Sequence, residues 1–131
     1  MSLSDEEREA IVSYRCEKAR KAIEEIKKIM PLKVWSTVAN RMYYALYYAV
    51  SALLIHDSHR VSSHKGVISL FNMCYVKTGI MSVADGRLLG NVFSLWKGSD
   101  YDDFIDASEE EVLAYFPKVE VLVEKIISQI K

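Results

Sequence analysis

Residues 40–55, Asn40-Arg41-Met42-Tyr43-Tyr44-Ala45-Leu46-Tyr47-Tyr48-Ala49-Val50-Ser51-Ala52-Leu53-Leu54-Ile55, form an unbroken apolar and aromatic run with one charge near its start. An α-helix that is apolar on all sides is walled in by other helices, because a surface helix shows a charged face at the 3.6-residue period. The run therefore predicts a central helix with further helices around it. Ala45, Ala49 and Ala52 fall at three- and four-residue spacings and line a stripe where a neighbouring backbone can approach closely. Arg41, Tyr44 and Tyr48 share a different stripe, on which a guanidinium and two phenols must each find a partner when buried.

The chain of 131 residues is expected to form one domain spanning 1–131, long enough to bury roughly two-thirds of its unfolded surface without staples. A formal net charge of −1 gives no strong overall field to attract nucleic acid, so any RNA contact must be local. Cys16 and Cys74 match no metal or redox spacing and read as reduced packing thiols, which points to the cytoplasm. The charged stretch Ser4-Asp5-Glu6-Glu7-Arg8 stands where a signal peptide would be apolar. The longest apolar run falls short of the roughly 20 residues a bilayer requires, so no membrane span is expected.

In chain order, Ser4 with Glu7 is a capping-box pattern, and apolar residues from Ile11 to Ile29 then recur at helical spacing. Helix one is expected over about Asp5 to Met30, with Glu17–Lys21 and Glu24–Lys28 placed for i,i+4 pairing. Pro31 ends it and suits the first turn of helix two, about Leu32 to His56. After a polar connection, Ser62 or Ser63 can cap helix three, and Gly79 sits where a left-handed C-cap belongs. Helix four is expected over about Val83 to Trp96, stopping around Lys97-Gly98-Ser99. Ser108 with Glu111 caps helix five, about Glu109 to Ile130, in which Pro117 should introduce a bend. No run reads as a strand, and the expected fold class is all-α, an antiparallel up-and-down bundle of four to five helices.

Three local patterns together resemble a known family. Asn40-Arg41-Met42-Tyr43-Tyr44-Ala45, then Ser63-His64-Lys65-Gly66-Val67 leading to Phe71 and Val76-Lys77-Thr78-Gly79, and finally Asp100-Tyr101, occur in an order and spacing similar to small stand-alone HEPN (higher eukaryote and prokaryote nucleotide-binding) domains. The resemblance implies a helical bundle that often dimerises, encoded beside a minimal nucleotidyltransferase partner in pairs that act as toxin and antitoxin. It also implies a family in which many members are metal-independent ribonucleases that use no cofactor. Those members carry an Arg followed by a His, whereas the branch resembled here carries an Arg four residues ahead of Asp-Tyr. Counting back from Asp100 places Trp96 at that Arg position, with Lys97 and Arg87 the nearest cations.

Metal-independent RNA cleavage requires a general base for the 2′-hydroxyl and a cation or acid for the phosphorane and leaving group. Lys97, Asp100 and Tyr101 are the candidates, although a carboxylate near its ordinary pKa is a weak base at neutral pH. Arg41, Tyr44, His64 and Lys65 are the candidates for holding a nucleotide or an RNA phosphate. Each has a structural alternative. Arg41 can be a buried ion pair with an acidic residue between Asp100 and Asp106, the tyrosines can be core, and His64 can cap or contact the backbone of helix three. Trp96 is either an aromatic anchor on a dimer surface or a plug at the end of the core. His56, His59 and His64 lack the spacing of a preformed metal site. Three functions are compatible with these residues: a non-catalytic or weakly catalytic nucleotide-, RNA- or partner-binding module, a ribonuclease toxin, and an interaction-only bundle.

Overall fold

The computed structural model describes residues 3–101 and 107–130, and the side chains of these except at 99–101. Five α-helices account for most of it, with no strand among the described residues. Helix α1 (Asp5–Ile29) opens with a capping box, in which the Ser4 hydroxyl accepts from the Glu7 N–H at 3.1 Å and the Glu7 carboxylate accepts from the Ser4 N–H at 3.0 Å. Pro31 does not start the second helix as expected. It lies in a short 3₁₀ turn, Met30–Leu32, and Lys33 then adopts a left-handed conformation (φ 57°) that breaks the helical path. Helix α2 consequently begins later, at Trp35, and runs to His56.

Helix α2 is the centre of the bundle, packed against α1, α3 (His64–Phe71), α4 (Val83–Tyr101) and α5 (Glu109–Ile127). Its fully buried side chains include Val38, Met42, Tyr43, Leu46, Val50 and Leu54, together with the small stripe Ala45, Ala49 and Ala52. Helix α1 contributes small buried residues of its own, Ala19 and Ala22, and makes the most extensive contact with α2. Small side chains let helix axes approach closely, so the two alanine sets suit this pairing. The charges of α1 are used differently from expectation. Two of its ion pairs run across to α5, from Arg20 to Glu124 at 3.1 Å and from Lys27 to Glu120 at 2.7 Å, while the pair along its own surface is Arg8 with Asp5 at 2.9 Å in the first turn. Such exposed pairs are screened by solvent and contribute little to stability.

Ser63 caps α3, its hydroxyl accepting from the Gly66 N–H at 2.9 Å. The helix then widens into a single π turn, Asn72–Val76, and ends at Gly79 (φ 85°), the left-handed position that glycine occupies without steric cost. Helix α4 crosses this π turn at Gly86, where a Cβ would lie 2.5 Å from Asn72 Oδ1 and 3.1 Å from a Val76 methyl, so a larger residue would have to displace the Asn72 side chain. The expected stop of α4 around Lys97-Gly98-Ser99 does not occur, and its backbone stays helical to Tyr101. A single glycine in a helix costs only about 1 kcal/mol, too little to end a helix by itself. Helix α5 has the Ser108–Glu111 capping box, continues across Pro117, and is tied to α4 by Lys125 Nζ to Asp85 Oδ2 at 2.6 Å.

The tight small-residue packing makes a direct prediction. Ala49→Leu adds volume at a site with no solvent exposure, and overpacking of this kind costs about 1–3 kcal/mol. Urea melts should show that loss, whereas Thr37→Leu, at an exposed position of the same helix, should leave stability nearly unchanged.

Candidate functional site

Coverage of α2 is uneven. Asn40, Arg41, Tyr44, Tyr47 and Tyr48 recur at one-, three- and four-residue steps and remain half-buried, while Ala39, Met42, Tyr43, Ala45 and Leu46 between them are fully buried. The sequence pattern had predicted burial on all sides; the structure leaves this stripe at the surface because its phenols and guanidinium can keep their polar ends in water.

The start of α3 and the end of α4 converge beside the stripe, and Tyr43 is where they meet. Trp96 of α4 stacks on the Tyr43 ring with centroids 4.5 Å apart and planes 16° from parallel, and Phe93, one turn earlier, meets the same ring edge-on at 5.5 Å. His64, the first residue of α3, places Nδ1 2.7 Å from the Tyr43 hydroxyl. Its imidazole also lies 4.7 Å from the Tyr47 ring and 5.1 Å from Trp96. Burial pushes the Tyr43 phenol well above its ordinary pKa, and the neighbouring Tyr47 and Tyr44 act in the same direction. Tyr43 is therefore a neutral hydrogen-bonding group that orients His64.

Arg41 is half-buried, with 29% of its side chain exposed, rather than largely buried as the sequence suggested. Its guanidinium lies over the Tyr44 ring at 5.3 Å, donates from Nε and Nη2 to Asn40 Oδ1 at 3.2 and 3.0 Å, and approaches Glu25 of α1 at 3.7 Å. The expected pairing with the Asp100 to Asp106 segment falls on side chains outside the described residues. Tyr44 is edge-on to Trp96 at 5.9 Å and 6.0 Å from His64, so Arg41, Tyr44 and His64 belong to one cluster. Lys65 is exposed in the first turn of α3, beside His64, and Lys97 is exposed immediately after Trp96.

One sequence expectation is corrected here and one open alternative is decided. The imidazole of His64 does not cap its helix; Ser63 does, and His64 turns to the phenol of Tyr43. Of the two readings of Trp96, the structure has the core plug: the side chain is only 4% exposed and fills the end of the core. Because α4 continues to Tyr101, positions 97, 100 and 101 share its last turn at three- and four-residue spacing, although the side chains of Asp100 and Tyr101 are not described. Sequence reasoning missed Asn40 as the holder of Arg41 and Tyr43 as the hub of the cluster. The Phe93–Trp96 spacing, one turn apart on α4, was the signal for the second.

Among the described residues, no group of three His, Cys, Asp or Glu side chains is placed to hold a metal ion, and no helix is long and apolar enough to cross a membrane. The model of the HEPN domain matches residues 12–130. The chain belongs to the HEPN family. It is 34% identical over 128 residues to a UPF0332 protein of Thermotoga maritima, covering 95% of this chain and 97% of the relative. A UPF0332 protein of Archaeoglobus fulgidus is 27% identical across 87% of this chain and 90% of its own length. A Methanocaldococcus jannaschii protein named "Putative toxin MJ0142" is 26% identical across 83% of this chain and 74% of its own length.

The hub of this HEPN cluster can be tested through its ionisation. Tyr43→Phe keeps the stack on Trp96 and removes the hydrogen bond to His64, with an expected loss of about 1 kcal/mol at pH 7. A phenol whose folded pKa lies above the ordinary value of about 10 gives full stabilisation below that pH. The unfolded chain ionises first, so this contribution declines as the pH rises through and beyond it, by up to about 1.4 kcal/mol per pH unit. Denaturant melts at pH 9, 10 and 11 should therefore show the wild type losing stability more steeply than Tyr43→Phe. Parallel curves would contradict the burial of this hydroxyl.

Proposed function

We propose that this HEPN chain is a non-catalytic or weakly catalytic module that binds a nucleotide or RNA along the Arg41–Tyr44 stripe. We further propose that it works as a homodimer in a toxin–antitoxin type pair with a minimal nucleotidyltransferase. The observation that carries this reading is Trp96. At the position where the resembled branch has an Arg ahead of Asp-Tyr, this chain has a buried indole stacked on Tyr43, which can neither stabilise a phosphorane nor activate a hydroxyl. Binding chemistry is nevertheless available. Arg41 is half-exposed and its carboxylate neighbour Glu25 stands at 3.7 Å, beyond a good charge-assisted hydrogen bond. A phosphate oxygen can take that place while a base stacks against the exposed tyrosine faces. The toxin name carried by the Methanocaldococcus relative supports the pairing with an antitoxin.

One observation favours the ribonuclease alternative: the last turn of α4 gathers positions 97, 100 and 101 on one stripe, as a cation, a carboxylate and a phenol acting together would require. Expression of the chain alone in a bacterial host separates the two readings. The binding module predicts unimpeded growth. Growth arrest that disappears in Lys97→Ala and Asp100→Ala would establish the ribonuclease instead. For the binding reading, Arg41→Ala should weaken capture of a short single-stranded RNA about tenfold, the loss of one charge-assisted contact. A wild type that binds neither RNA nor nucleotides by saturation-transfer NMR would leave an interaction-only bundle, and light scattering on the same sample reports whether it dimerises.

A further inference from the structure

A second concave site lies at the other end of α2. Ile55, on its wall, is twelve residues beyond Tyr43, roughly 18 Å along the helix at 1.5 Å per residue. The cavity, about 390 Å³, is bounded by Arg8 and Arg15 from α1 and by His59 and Arg60 from the α2–α3 connection. Arg8 and Arg15 are seven residues apart and so share one face of α1. The connection is held by a C-terminal helix motif: Ser58 adopts a left-handed conformation (φ 67°), and the His59 N–H donates back to the Leu54 carbonyl at 2.8 Å. This brings His59 and Arg60 round to face the two arginines of α1.

The charge in this cavity is left unbalanced. No acidic side chain lines it among the described residues. Arg8 is partly satisfied by Asp5 at 2.9 Å, and Asp57, the nearest carboxylate in the connection, is engaged by the Tyr75 hydroxyl at 2.7 Å and by His56 Nδ1 at 2.9 Å. Arg15 Nη1 is shut off from solvent and has no hydrogen-bond partner among the described residues. A buried cationic nitrogen without an acceptor is costly, and a protein retains one where something else supplies the acceptor.

We propose that this cavity is a phosphomonoester site, independent of the Arg41 stripe. Guanidinium forks match phosphate oxygens bidentately, and three of them from two elements can surround a dianionic group. The volume exceeds what phosphate alone fills. Leu3, Ile55 and Val61 supply an apolar wall against which the organic part of a small phosphorylated molecule, such as a nucleoside monophosphate, can lie.

The test titrates the full chain with AMP, with inorganic phosphate and with a short RNA lacking terminal phosphates, read by isothermal calorimetry and by amide shifts. AMP should bind more tightly than inorganic phosphate and shift amides of residues 8, 15, 59 and 60. Arg15→Gln and Arg60→Gln should each weaken it about tenfold at these amides, while Lys118→Gln, which removes the same charge from an exposed position of α5 outside both sites, leaves it unchanged. Arg60 lies exposed in the connection, so its replacement is informative even where Arg15→Gln perturbs folding, which circular dichroism reports. No AMP binding, binding insensitive to both variants, or equal binding of the RNA would each overturn the assignment. AMP-induced shifts confined to residues 40–48, with residues 8, 15, 59 and 60 unmoved, would overturn it as well, by placing the ligand in the other site.

Discussion

Burial of α2 is the interaction on which every other helix depends. A large aliphatic or aromatic side chain contributes about 1.5–3 kcal/mol when taken from water, and Met42, Tyr43, Leu46, Leu53 and Leu54 all lie in one helix with essentially no solvent exposure. No single partner can cover that many directions. Helices α1, α3, α4 and α5 all touch α2, and their own caps and ends are placed so that each can reach it. The 3₁₀ turn at Met30–Leu32 reverses the chain, and the side chains of the π turn after α3 pack directly against Gly86 of α4.

What the four helices leave uncovered is a polar and aromatic stripe of α2. The stripe from Asn40 to Tyr48 is half-buried because tyrosines and arginine tolerate an interface between core and water, where leucines would not. Behind it, Tyr43 joins three elements through one ring: stacking on Trp96, an edge contact with Phe93, and a hydrogen bond to His64. The same tryptophan that completes the core also occupies the position from which a catalytic cation would act in the resembled branch. Under the proposed reading, one departure from the pattern both completes the core and removes the cation needed for cleavage, and the half-buried stripe is left as the binding face.

The two ends of α2 carry different electrostatics although the chain as a whole is nearly neutral. Along the N-terminal half, Arg41 has a carboxylate and an amide as neighbours. At the C-terminal end, Arg15 and Arg60 face a cavity whose described lining contains no carboxylate. Net charge therefore says little about local anion affinity, which depends on whether counter-charges reach a given spot.

Local pattern in the sequence determined the helices and most of their ends. Both capping boxes, Ser63 before α3, Gly79 after it and the buried alanine stripe of α2 are all present as read, because each depends on groups within one turn of each other. The features decided by tertiary structure involve residues far apart in the chain. The charges of α1 found partners on α5, α4 ran past its glycine, one stripe of α2 stayed half-exposed, and Trp96 turned inward to Tyr43. Periodicity reports which residues share a face, and it is blind to how far a neighbouring helix extends over that face. The Arg41 stripe and the Arg15 cavity exist only because α3, α4 and the α2–α3 connection end where they do, and that is a property of packing in three dimensions.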